Sequence, residues 1–234
     1  MMADYAELTL NTRPVSDTDV DTRARFIIRT YSHLVGAVAA FTALEVLFFK
    51  TGAAEEIART MLGLPWLLVL GGFMVVSWIA TSAAQRAVSR PAQYAALAAY
   101  VVVQALLFVP LLFIANRIAP GVIKSAVGVT VLGFGGLTSV AFLSRRDFSF
   151  LRVLLRWSAV GALVAIVAGV LFGFQLGTWF SVGMILFAGA AILFDTSNVL
   201  RLYPQDRHVA ASLQLFASVM LLFWYVLRLF LSHK

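Results

Sequence analysis

Seven apolar stretches follow one another along this chain, each of a length that crosses a lipid bilayer. They cover about residues 26–49, 64–87, 92–115, 121–143, 153–174, 178–200 and 208–231. A helix needs about 20 mostly apolar residues to span about 30 Å of hydrocarbon. Hydrocarbon offers no partner to a backbone N–H or C=O, so each span must satisfy its own, and an α-helix does. The connections are short, which makes neighbours in sequence antiparallel neighbours in space and leaves no room for a soluble domain. The expected fold is an all-α integral membrane protein: a polar tail over residues 1–25 and a seven-helix transmembrane domain over 26–234.

Composition excludes the alternatives. The 234 residues are 61% apolar and 12% charged, against about 45–50% and about 25% in soluble domains. There is no cysteine, so disulfide frameworks, thiolate metal sites and cysteine nucleophiles are all absent. The tail carries Asp4, Glu7, Asp17, Asp19 and Asp21 among its arginines. It lacks the apolar run of a secretory signal. The net charge of +7 would suggest nucleic acid in a soluble protein. Here the basic residues flank apolar runs and orient the chain instead. Arg13, Arg23, Arg25, Arg29, Arg86, Arg90, Arg145, Arg146, Arg152, Arg156, Arg201 and Arg207 fall on one side; Lys50, Arg59, Arg117, Lys124, Arg228 and Lys234 fall on the other. By the positive-inside rule the N-terminus is expected in the cytoplasm and the C-terminus outside.

Within the spans, Gly128, Gly133, Gly135 and Gly136 read either as close helix packing or as a hinge, and Pro110 predicts a kink. The ionisable residues say more, because an Asp at mid-span costs about 2.5–3.5 kcal/mol to insert. Asp195 sits in ILFDTSNVL, Glu45 in FTALEVLFF and His33 in TYSHLVGA. Glu45 can snorkel to the surface and His33 can be a packing residue, and both stand as secondary candidates. Asp195 is too short to snorkel. A lone carboxylate in a membrane takes a proton or finds a partner. If the last two spans turn near residues 204–205, Gln214 lies level with Asp195 and Ser218 one turn deeper; Asn198 shares its helix face. The candidate gating or proton site is therefore Asp195, Thr196, Asn198, Gln214 and Ser218. No nucleophile–base pair, phosphate loop or metal-ligand motif accompanies it, so an enzyme is not expected. No resident cofactor is expected beyond weak Ca²⁺ binding at Asp195.

The stretches TYSHLVGAVAAFTALE, SVAFLSRRDFSFL, ILFDTSNVL and ASLQLF resemble the Bax inhibitor-1 family, also called the transmembrane Bax-inhibitor-motif family. The resemblance covers about residues 25–231. It implies a last helix wrapped by the other six, a bacterial inner-membrane location, and an association with pH-sensitive calcium leak and stress protection. Some bacterial members carry an aspartate dyad. Asp195 falls on its first position and Ser218 on its second, so the dyad is broken; Leu222 stands where an Asn is common, and Arg86 is too near its helix end to act as the arginine latch. These departures are more similar to the YccA-like branch, associated with modulation of the membrane protease FtsH.

Two readings follow. One is a pH-sensitive cation leak with Asp195 as protonatable gate, in which one carboxylate and a few hydroxyl and amide oxygens bind Ca²⁺ only weakly. The other is a non-conducting membrane protein that modulates a quality-control protease. Lipid is the expected environment for both, and nucleic acid is a partner for neither.

Overall fold

The computed structural model describes residues 14–232 except 87, 88, 120 and 145, and only the backbone of Arg86. Arg13, Arg145 and Lys234, counted above for orientation, lie outside the described residues. A short 3-10 turn over Val15–Asp17 precedes eight helices: α1 (Val20–Thr51), α2 (Ala53–Leu62), α3 (Trp66–Arg86), α4 (Arg90–Ile118), α5 (Val122–Ser144), α6 (Leu151–Phe172), α7 (Thr178–Arg201) and α8 (His208–Leu231). All except α2 are long and apolar enough to cross a membrane. Among the described residues there is no strand, only an isolated bridge between Pro14 and Pro204.

Local chemistry explains where the helices begin and end. α1 starts at Val20, well before the apolar stretch, because Asp19 caps it by accepting the Thr22 N–H at 2.9 Å. The same bond holds the Asp19 carboxyl below its ordinary range. Gly52, in the left-handed region at φ 81°, lets the chain turn from α1 straight into α2. That ten-residue helix is amphipathic: Ala54 and Ala58 are buried and Glu55, Glu56 and Arg59 are exposed. It rests on α4 and is too short to span, which is why hydropathy did not separate it from a loop. Pro110 lies inside α4, which is helical through it from Arg90 to Ile118.

α8 is the most buried span and packs against α1, α3, α4, α5 and α7; α6 leans on α7 and lightly on α3. Lipid gives apolar faces no reason to leave it, so packing and hydrogen bonds hold such a bundle together. An aromatic cluster provides much of that packing. Phe108 of α4 stacks on Phe223 at 5.3 Å and meets Trp224 edge-on at 5.0 Å, both on α8, and takes Phe41 of α1 on another edge at 5.2 Å. Each such pair contributes about 0.5–1.5 kcal/mol beyond its area. Of the four α5 glycines, Gly133 faces α8: a Cβ there would lie 3.5 Å from Leu222. At Gly128, Gly135 and Gly136 a Cβ would meet open space.

Candidate functional site

α7 and α8 form a hairpin through Tyr203, Pro204 and Gln205, and its register decides what Asp195 meets. The Ser218 hydroxyl donates to Asp195 Oδ2 at 2.5 Å, and Gln214 hydrogen-bonds to the same carboxyl group. Both were expected from the turn position. Asp195 and Ser218 are 3% and 5% exposed, so this contact is dry.

The other two members of the predicted cluster point elsewhere. Thr196 is fully buried on the far side of α7, where it lies beside the Tyr31 hydroxyl of α1 together with Thr138 of α5. Asn198 lines a separate small crevice with Gln85, Tyr203 and Arg207. Its carbonyl closes α7 by accepting from the Leu202 and Tyr203 N–H groups. A shared helix face three residues on was a good guide to direction but not to depth.

Three features brace this site that no spacing argument had found. Tyr203 sits close enough to Asp195 for its phenol to be pushed well up, first by burial and then by the Asp195 charge. The Tyr203 carbonyl accepts the Val15 N–H at 2.9 Å, and Val15 itself is fully buried. Residues 14–17 thus strap the α7–α8 turn. Third, the sequence Asp147, Phe148, Ser149 between α5 and α6 is a structural brace. Asp147 accepts the Ser149 N–H at 2.8 Å, which holds its carboxyl below the ordinary range, and the Phe148 N–H reaches Ser197 Oγ at 3.4 Å. The brace meets α7 two residues from Asp195.

Asp195 lines a cavity of about 780 Å³ between α3, α4, α6, α7 and α8. Gln104 of α4 lies in the same wall, buried, with its Oε1 unpartnered among the described residues. The cavity extends past Trp224 to Arg228 near the end of α8. The oxygens at its Asp195 end are one carboxylate, one hydroxyl already donating to it, and two amides. A resident Ca²⁺ wants 6–8 oxygens with several charges among them. This set does not fit one, and no group of three metal-ligating side chains exists among the described residues.

The secondary candidates stand apart from Asp195. His33 donates Nδ1–H to the Arg29 carbonyl at 2.6 Å, and its Nε2 shares a hydrogen bond with the Tyr94 hydroxyl at 2.9 Å. Its ring lies 5.1 Å from that of His208, whose Nδ1 is buried without a partner among the described residues. The two histidines are 175 positions apart in sequence, so only tertiary structure could pair them. Glu45 does not snorkel. It is 6% exposed, and neither carboxylate oxygen has a partner among the described residues.

Comparison with known proteins agrees with this architecture. The model of a family described as "Inhibitor of apoptosis-promoting Bax1" matches residues 23–234. An uncharacterized membrane protein of Vibrio cholerae is 31% identical over 106 residues, 44% of this chain and 47% of its own. An uncharacterized protein of Pseudomonas aeruginosa is 32% identical over 112 residues, 47% of this chain and 49% of its own. The chain spans about half the length of these curated relatives. Seven apolar spans and the family match together make it a multi-pass membrane protein.

Proposed function

The chain belongs to the Bax inhibitor-1 family, and from that premise we propose that it is a pH-sensitive cation leak with Asp195 as its protonatable gate and Ca²⁺ as cargo. The observation that carries this reading is the buried Asp195–Ser218 contact at the end of a cavity that runs most of the way to the other end of α8. Asp195 is the one acidic residue lining that cavity among the described residues. When it is ionised, a cation entering from the turn end finds a counter-charge; when it is protonated, it finds none. Ser218 stands where a second carboxylate would couple two protons, so the proton dependence is that of a single group. The strap at Val15 and the ring of Tyr203 sit over the turn end of the path and must shift for an ion to pass.

Ca²⁺ flux into liposomes containing the purified chain, at two pH values, with and without Asp195→Asn, tests the reading. The expected result is flux that follows one proton-linked step and vanishes in the variant. Absence of flux from the unaltered chain at either pH overturns it. The second reading, a non-conducting modulator of a quality-control protease such as FtsH, draws support from the poor Ca²⁺ donor set and from the strap, which ties the tail to the α7–α8 turn.

A further inference from the structure

The cavity beside Asp195 is much larger than an ion path requires. About 780 Å³ lies within the range of organic-ligand sites, roughly 300–1,000 Å³. Its wall is aliphatic and aromatic, with Trp66 stacked on Trp224 at 6.3 Å along one side. A bare or hydrated cation gains nothing from such a wall, whereas a hydrocarbon chain packs against it. The cavity is flanked by α3 and α6, the two least buried spans, which touch each other only lightly. That seam opens toward the surrounding lipid.

Arg228 gives the far end its chemistry. One of its N–H groups donates to the Leu176 carbonyl at 2.9 Å, and its guanidinium lies 5.9 Å from the Phe180 ring centre. Among the described residues no carboxylate is within ion-pair distance of it. A guanidinium has five donors in a planar fork that matches a carboxylate. A cation with no carboxylate beside it among the described residues, at the mouth of an apolar chamber, asks for a ligand with an acidic head and an apolar tail. Arg228 is ten residues from Ser218, about 15 Å along α8 at 1.5 Å per residue. A methylene fills about the liquid volume of a water, roughly 30 Å³, so a sixteen-carbon chain needs on the order of 500 Å³. One such chain fits the cavity.

We propose that this cavity binds a single-chain anionic amphiphile drawn from the bilayer, in its simplest form a long-chain fatty acid. Its carboxylate pairs with Arg228 and its tail lies along α8 between α3 and α6, reaching toward Asp195. This ligand site goes beyond the leak reading and does not depend on it, because it stands whether or not any cation crosses.

The test is equilibrium binding of radiolabelled palmitate to the full chain in nanodiscs, with unlabelled competitors. Saturable binding of one palmitate per chain is expected. Hexadecanol, which keeps the tail and removes the charge, should compete at least roughly tenfold less well, as loss of a desolvated ion pair implies. Arg228→Gln should weaken palmitate by at least roughly tenfold, and Arg228→Lys, which keeps the charge and loses the fork, should weaken it by less. Ala217→Trp, which fills the chamber without touching Arg228, should abolish binding. The hexadecanol comparison uses the unaltered chain, so the head-group claim stands or falls on it even if a variant does not fold. Three results overturn the proposal: no saturable binding, equal competition by hexadecanol, or tighter binding of two-chain phosphatidylglycerol than of palmitate.

Discussion

Removing the Ser218 hydroxyl should cost stability in proportion to the charge on Asp195, and a double-mutant cycle can read that charge. The hydroxyl donates at 2.5 Å to a carboxyl group that is 3% exposed. A hydrogen bond to a charged group contributes about 1.5–3 kcal/mol, and one between neutral groups about 0.5–1.5. Measured inter-helix hydrogen bonds in membranes lie lower, averaging about 0.6 and reaching about 1.7 kcal/mol, so the charge-assisted figure belongs near the bottom of its range. Ser218→Ala should therefore cost about 1.5–2 kcal/mol while Asp195 is ionised. In an Asp195→Asn background the same change should cost only about 0.5–1, because the amide oxygen accepts a neutral bond. The coupling is then about 1 kcal/mol, about fivefold in the unfolding equilibrium. Asp195→Asn alone should leave stability unchanged or raise it, since it keeps the shape and removes a buried charge. The assay is reversible unfolding of all four variants in mixed micelles, at a pH high enough to ionise the carboxyl group and again well below it. The coupling should shrink toward zero on acidification. A coupling below about 0.3 kcal/mol at both pH values, or one that grows on acidification, would refute the reasoning.

Four further outcomes follow from other parts of the molecule. Val15→Asp should release the strap at a local cost of about 1.5–3 kcal/mol, the burial energy of a valine; trypsin should then cut at Arg23 and Arg25 sooner, and an unchanged cleavage rate would count against the strap. Gly133→Ala should be neutral or stabilising by up to about 1 kcal/mol, because its Cβ meets Leu222 at an ordinary 3.5 Å, whereas Gly133→Leu should lower the melting temperature and Gly136→Leu should not. The raised Tyr203 phenol makes the folded state hold its proton longer than the unfolded chain does, so its contribution is complete below about pH 10 and lost as pH climbs past it; Tyr203→Phe should lessen the fall in melting temperature between about pH 8 and about pH 11. With the N-terminus cytoplasmic, an impermeant thiol reagent on intact cells should label Ser232→Cys and spare Ser149→Cys, and the opposite pattern inverts the orientation.

The spans were legible because hydrocarbon thickness imposes a length that composition alone reports. Six of the seven spans both start and end within three residues of where hydropathy placed them. The start of α1 was missed because a cap at Asp19, not apolarity, decides where that helix begins. α2 was missed because ten amphipathic residues carry no bilayer-length signal. Within the site, the Asp195–Ser218–Gln214 contacts were readable because a short hairpin turn sets the pairing of α7 with α8. Thr196 was misplaced because adjacent helix residues point about 100° apart, which sends it toward Tyr31 on α1. The His33–His208 contact, the cavity and its arginine depend on which helices lie side by side, and a lone sequence holds no information on that.

The bond from Val15 to the Tyr203 carbonyl also makes the chain a mechanical linkage. Whatever grips the residues before Pro14 pulls first on Val15, and through it on the turn that joins α7 to α8. Asp195 lies eight residues before Tyr203, about two helical turns away along the loaded helix. Tension applied to the tail therefore reaches the buried carboxylate along a short and nearly rigid lever, while a partner that merely rests on the tail exerts none. A passive companion and a pulling one would be told apart by whether the tail is under tension.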